Sequence, residues 1–158
     1  MADETKRQHK WCWCLKCEGL FYIGTEWASY CPAGGEHDET FSGDFTYAIN
    51  LDNKGEAGWR RCVRCQVLFL DTGSLALYPV GPCPAPGKSW LGPYHEADLS
   101  VKYFVEKNII SETTLQPGWR YCGKCRGLYY GKNASQGKCP GGGAHDGEGS
   151  PNYFLFVE

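Results

Sequence analysis

Nine of the ten cysteines in this 158-residue chain fall into three sets with a shared order, and each set ends in a histidine. The C-x-x-C pairs are Cys14 with Cys17, Cys62 with Cys65, and Cys122 with Cys125. A third cysteine, always followed by proline, comes at Cys31, Cys83 and Cys139. Copies one and three continue as CPAGGEHD and CPGGGAHD, so His37 and His145 stand six residues after that cysteine. Copy two reads CPAPGKSWLGPYHE and places His95 twelve residues after Cys83, a longer spacing that brings in Trp90 and Tyr94. More recurs in the same frame. Trp11, Trp59 and Trp119 stand three residues before the pairs, and Lys16, Arg64 and Lys124 sit inside them. Leu20-Phe21, Leu68-Phe69 and Leu128-Tyr129 follow. After the histidines, Ser42, Ser100 and Ser150 align at five residues, and Phe45, Tyr103 and Tyr153 at eight. Self-similarity at a fixed period is the mark of tandem supersecondary units.

The frame divides the chain into a tail at 1–10, repeat one at 11–52, a joint at 53–58, repeat two at 59–107 with its insertion at 85–94, a joint at 108–118, and repeat three at 119–158. Within a repeat, segments such as GWRYC, GLYYG and NYFLFVE are short and rich in aromatic or β-branched residues, as strands are. No helical period is sustained, and Gly and Pro punctuate the chain throughout. The expected fold class is all-β: three small zinc-stapled β units in tandem, with packing about a pseudo-threefold axis one way to arrange them.

Units this small bury too little apolar surface to stand alone, so each needs a staple. Three cysteines per copy are an odd number, so disulfides would strand one thiol in each copy or require irregular pairing between copies. Three cysteines and a histidine complete a tetrahedral zinc shell of the closed, structural kind. The expected ligands are Cys14, Cys17, Cys31 and His37; Cys62, Cys65, Cys83 and His95; and Cys122, Cys125, Cys139 and His145. This predicts three structural zinc ions per chain, with Cys12 and His9 left over beside the first copy. Iron is the other metal that thiolate-rich tetrahedra accept, and the long spacing makes copy two the weakest of the three sites. The basic residue inside each pair either offsets the net negative charge of a three-thiolate zinc site or is solvated. Asp38, Glu96 and Asp146, directly after the histidines, either orient the imidazoles or sit on an exposed turn. The recurrent tryptophans read as packing around the metal.

With W-x-x-C-x-x-C-x-x-L-F/Y followed by C-P-x-G-G-x-H, the unit resembles a zinc ribbon or zinc knuckle repeated in tandem over nearly all of residues 11–158. The resemblance implies metal and leaves activity open, since ribbons and knuckles serve nucleic-acid, protein and scaffold roles.

A closed site has no position for water or substrate, so no catalytic residue is expected. The zinc deaminase signature, the G-x-S-x-G elbow, the P-loop and H-E-x-x-H are all missing from the sequence. A net charge of −2 and a pI near 6.1 lack the basic footprint of a nucleic-acid binder. The opening MADETKRQHK has no apolar run behind its charges, and no segment has the roughly 18 apolar residues needed to span a bilayer. A cytoplasmic chain is expected, with leaderless export as the other route.

Repeat scaffolds vary in their loops, and the loops at 23–30, 71–82, 89–94 and 131–138 carry Trp27, Tyr30, Tyr78, Trp90 and Tyr94 beside small polar residues. Aromatic faces next to short polar groups suit sugars, so lectin-like carbohydrate binding is expected, with Trp27, Trp90 and Tyr94 as the contact residues. The alternative is a protein-interaction or self-assembly module, including a homo-oligomer, that uses the same aromatics as an interface. A third reading is a nucleic-acid binder, with Arg60, Arg61, Arg64, Arg120, Lys124 and Arg126 on one face. The sequon Asn133-Ala134-Ser135 matters only in a secreted chain.

Overall fold

The computed structural model describes residues 6–40, 46–52, 54–71, 81–86, 93–108 and 115–157, and all of its regular elements are strands. Each copy supplies three: β1 (Arg7–Trp13), β2 (Leu20–Tyr22) and β3 (Tyr47–Asn50); β4 (Glu56–Arg61), β5 (Leu68–Leu70) and β6 (Tyr103–Lys107); β7 (Leu115–Tyr121), β8 (Leu128–Tyr130) and β9 (Tyr153–Val157). The first strand of each copy pairs antiparallel with the second across the C-x-x-C turn and with the third on its other edge. Each first strand starts ahead of its tryptophan, at Arg7, Glu56 and Leu115.

Those first strands all shift register just before the tryptophan, between Gln8 and Trp11, Glu56 and Trp59, and Gln116 and Trp119. The residue preceding each tryptophan is left-handed there: Lys10 at φ 73°, Gly58 at 99° and Gly118 at 97°. A bulge of this kind adds twist and re-aims the following side chain. The tryptophan that follows is wholly buried in every copy.

The copies close on one another in two rings. In the first, the end of each third strand pairs antiparallel with the start of the next: Asn50 with Phe104, Lys107 with Tyr153, and Val157 with Tyr47. In the second, bridges join Phe21 to Val67, Phe69 to Gly127, and Tyr129 to Gly19. The second ring is fastened by backbone N–H groups of Tyr22, Leu70 and Tyr130, which donate to the carbonyls of Gln66, Arg126 and Glu18 at 3.0, 2.9 and 2.9 Å. The sheet is nearly closed and barrel-like, and the pseudo-threefold arrangement leaves few strand edges unpaired.

Between the rings lies one core to which each copy contributes a tryptophan, a leucine, a tyrosine and an aliphatic residue two places further along the third strand: Ile49, Val105 or Leu155. The tryptophans reach across the seams. Trp11 meets Tyr103 edge-on at 5.4 Å, Trp59 meets Tyr153 at 5.3 Å, and Trp119 meets Tyr47 at 5.2 Å. The strand pairs Trp11–Tyr47, Trp59–Tyr103 and Trp119–Tyr153 therefore make Tyr47 the counterpart of Tyr103 and Tyr153. Spacing from the histidine points instead to Phe45, which lies outside the described residues, as do Ser42, Tyr78 and Trp90. Copy one carries two more residues than the others between histidine and strand, which displaces that alignment.

Candidate metal centres

Each C-x-x-C turn is a backbone knuckle. The N–H of Cys14 donates to Gly19 O at 2.9 Å and Glu18 N–H donates back to Cys14 O at 2.8 Å, with matching bonds around Cys62 and Cys122. The residue after each second cysteine is left-handed to close the turn: Glu18, Gln66 and Arg126 at φ 67°, 73° and 67°. The third cysteine and the histidine arrive on the C-P turn opposite. Lys16 and Lys124 reach across to hold that turn through Gly34 O and Gly142 O. Arg64 does the same for copy two, donating to the carbonyls of Tyr94, Ala85 and Pro86 at 2.7, 3.3 and 3.2 Å. The basic residues are thus straps between the two halves of each site.

The expected ligands converge in all three copies, into buried clusters whose ligand atoms lie within 4.8 Å of one another. The longer spacing of copy two costs it nothing, since His95 is in place and 3% exposed. Cys14 and Cys31 Sγ are 3.9 Å apart, and the pairs Cys62–Cys83 and Cys122–Cys139 are 3.8 Å apart. Nδ1 of His37, His95 and His145 lies 3.4, 3.5 and 3.5 Å from Cys17, Cys65 and Cys125 Sγ. Bonds of about 2.3 Å to sulfur and about 2.0 Å to nitrogen put tetrahedral S···S near ~3.8 Å and S···N near ~3.6 Å. The clusters have the dimensions of zinc shells, and no disulfide joins any of the ten cysteines. These are three structural zinc sites.

The electrostatics call for a cation. Hydrogen bonds from the neighbouring cysteines hold Cys14 and Cys122 far below the ordinary thiol value. Burial opposes ionisation of Cys62, yet bonds from Cys65 and Cys83 carry it down as well. The neighbours pay in the opposite direction. Cys17 and Cys125 are driven up by their bonds to the first cysteine and by burial, Cys65 by burial first, and Cys83 to about 12 through Cys62. One thiolate forms readily in each cluster, and ionising the neighbours that are driven up requires a positive charge beside them. Backbone N–H groups already point at the sulfurs: Asp38, Glu96 and Asp146 donate to Cys14, Cys62 and Cys122 Sγ at 3.3, 3.4 and 3.4 Å. The carboxylates of Asp38 and Asp146 accept from the backbone two residues on, so it is the main chain at these positions that serves the site.

Each imidazole is stacked on the aromatic of its second strand, His37 on Phe21, His95 on Phe69 and His145 on Tyr129, with ring centroids 4.7, 4.7 and 4.5 Å apart. With Nδ1 toward the metal, Nε2–H is left to donate outward. It donates across the seam, from His95 to Cys125 O at 3.2 Å and from His145 to Cys17 O at 3.0 Å. Such outer bonds fix the tautomer and raise ligand basicity.

Sequence reading missed the polar residue three places before each tryptophan. Gln8, Glu56 and Gln116 accept from Trp11, Trp59 and Trp119 Nε1 at 3.2, 3.1 and 2.8 Å. They also reach the tyrosine of the next copy, Gln8 taking Tyr103 OH and Glu56 taking Tyr153 OH at 2.7 Å. The constant offset Gln/Glu-x-x-Trp is the signal that could have found them.

Of the loop aromatics, Trp27 is 61% exposed. It stands on a cleft of about 500 Å³ between copies one and two, lined also by Glu26, Tyr30, Val63, Arg64 and Pro86. Tyr94 is half-buried against the Cys62 cluster, and Cys12 is buried beside the Cys14 cluster. Among the described residues, no helix is long and apolar enough to cross a membrane. Compared with known proteins, the chain matches no family model, no curated protein and no solved structure.

Proposed function

We propose that the protein is a non-catalytic binding module whose zinc ions build structure and whose ligand is carbohydrate, taken at the cleft beside Trp27. The observation carrying this reading is the contrast between the tryptophans. Trp11, Trp59 and Trp119 are sealed in the core, whereas Trp27 lies 61% exposed on a cleft that also offers Tyr30 and the Glu26 carboxylate. An indole face stacks on the C–H face of a sugar, and a carboxylate accepts from its hydroxyls. Four protein ligands around each metal leave no coordination position for a reacting molecule.

The basic residues speak against nucleic acid. Arg61 is buried, paired with Asp98 at 2.9 Å. Arg60 and Arg120 donate to Val101 O and Ser150 O, and Arg64 and Lys124 hold the metal turns. Five of the six basic residues expected on one face are thus engaged within the fold.

A glycan array followed by tryptophan-fluorescence titration with the free sugars tests the proposal. Binding that free sugar competes away, and that Trp27→Ala abolishes without changing zinc content, is expected. Absence of glycan binding, or binding unaffected by Trp27→Ala, contradicts it. Concentration-dependent light scattering lost in the same variant would move the assignment to self-association.

A further inference from the structure

We infer that the three zinc sites are unequal, and that the ion held by Cys14, Cys17, Cys31 and His37 is the exchangeable one because Ser29 stands where the other copies carry glycine. Two residues before the third cysteine the copies read Ser29, Gly81 and Gly137. Gly81 and Gly137 are left-handed, at φ 73° and 74°, and each lies against the knuckle of the next copy. A Cβ on Gly81 would fall 2.5 Å from Cys125 O, and one on Gly137 would fall 2.1 Å from Cys17 O. These are the carbonyls that accept from His95 and His145 Nε2. Glycine lets the loop settle so closely that the imidazole is locked from its outer side.

Serine brings the Cβ that this approach excludes. Ser29 is not among the left-handed residues, and its hydroxyl takes the backbone N–H of His37 at 3.1 Å. His37 is 8% exposed, and its Nε2 has no hydrogen-bond partner among the described residues. Among the described residues, the first site therefore lacks the outer bond that the other two possess. A missing partner on a ligand imidazole lowers metal affinity by about 10- to 100-fold. A pocket of about 190 Å³, lined by Ser29, His37, Glu36 and Trp27, adjoins the ring and offers a competing ligand a route in. The chain then carries two permanent ions and one that a stronger zinc acceptor can take, uncovering the thiols of Cys14, Cys17 and Cys31.

The test uses the full zinc-loaded chain. It is titrated with EDTA, the ions are counted by native mass spectrometry, and each point is labelled with N-ethylmaleimide and mapped by peptide mass. A two-zinc species should accumulate, with Cys14, Cys17 and Cys31 labelled ahead of the other six ligand cysteines. Ser29→Gly should restore the outer bond and shrink the gap between first and later release by about 10-fold or more. Simultaneous loss of all three ions, first labelling in copy two or three, or an unchanged gap in Ser29→Gly would each overturn the inference.

Discussion

At the scale of single residues, the core depends on polar atoms as much as on rings. Glu56 Oε1 accepts from both Trp59 Nε1 and Tyr153 OH, while its Oε2 holds Lys107 at 2.8 Å near the surface. Glu56→Gln keeps an acceptor for the two buried donors and loses only a partly exposed ion pair, so unfolding in denaturant should change by less than about 1 kcal/mol. Glu56→Ala leaves both donors unsatisfied and should cost about 2–4 kcal/mol. Equal costs for the two would contradict the bridging role. Lys10 holds a left-handed conformation that Gly58 and Gly118 occupy in the other copies. Lys10→Gly should therefore raise stability, by about 0.5–1 kcal/mol in the same assay. Recurrence marks the tryptophans as buried but points to the metals, whereas they pack in the core shared by the copies, apart from the cysteine clusters; Gln8, Glu56 and Gln116 give no such sign. Gln and Glu on a strand look like solvated residues until the neighbouring copy supplies a tyrosine to them.

At the scale of elements, the knuckles and C-P turns were legible because metal chemistry prescribes their residues. What spacing could not convey is that the turns also touch the next copy. Gly137 shows the difference when compared with Gly142. Both have positive φ, but a Cβ on Gly142 meets nothing within 4 Å, whereas on Gly137 it meets the carbonyl of Cys17. Gly142→Ala should cost only backbone strain, about 1–2 kcal/mol. Gly137→Ala adds a collision at the seam and should cost about 1–3 kcal/mol more. Thermal melts of the two variants compare the costs, and a Gly137→Ala melt no lower than that of Gly142→Ala would mean that the seam yields freely. The long second spacing illustrates the reverse case. It puts the site in doubt on spacing alone, yet Cys83 and His95 both lie in the cluster.

At the scale of the whole molecule, two rings and one shared core make the copies interdependent, which no reading of a single repeat could reveal. Chains of three similar units can be beads or a closed ring. The difference lies in Asn50 meeting Phe104, Lys107 meeting Tyr153 and Val157 meeting Tyr47. Loss of one staple, as in Cys122→Ser, should accordingly lower the melting of all three copies together rather than unfold one. Separate transitions in a calorimetric scan would contradict this. The tyrosines at the seams add a pH limit. Burial raises the phenols of Tyr47, Tyr103 and Tyr153, so folding is favoured below the ordinary value of about 10. Above that value the unfolded chain ionises first and stability falls with rising pH. Phenolate absorbance of these tyrosines should appear together with loss of strand signal in circular dichroism, and titration without unfolding would place them in solvent.

Each copy is pinned by one zinc ion in a shell of three sulfurs and one imidazole nitrogen. Native mass spectrometry of the purified chain tests this most directly, and the mass should correspond to three zinc ions with every cysteine reduced. A compact chain that carries no metal, or whose cluster cysteines are joined in disulfides, would contradict the account.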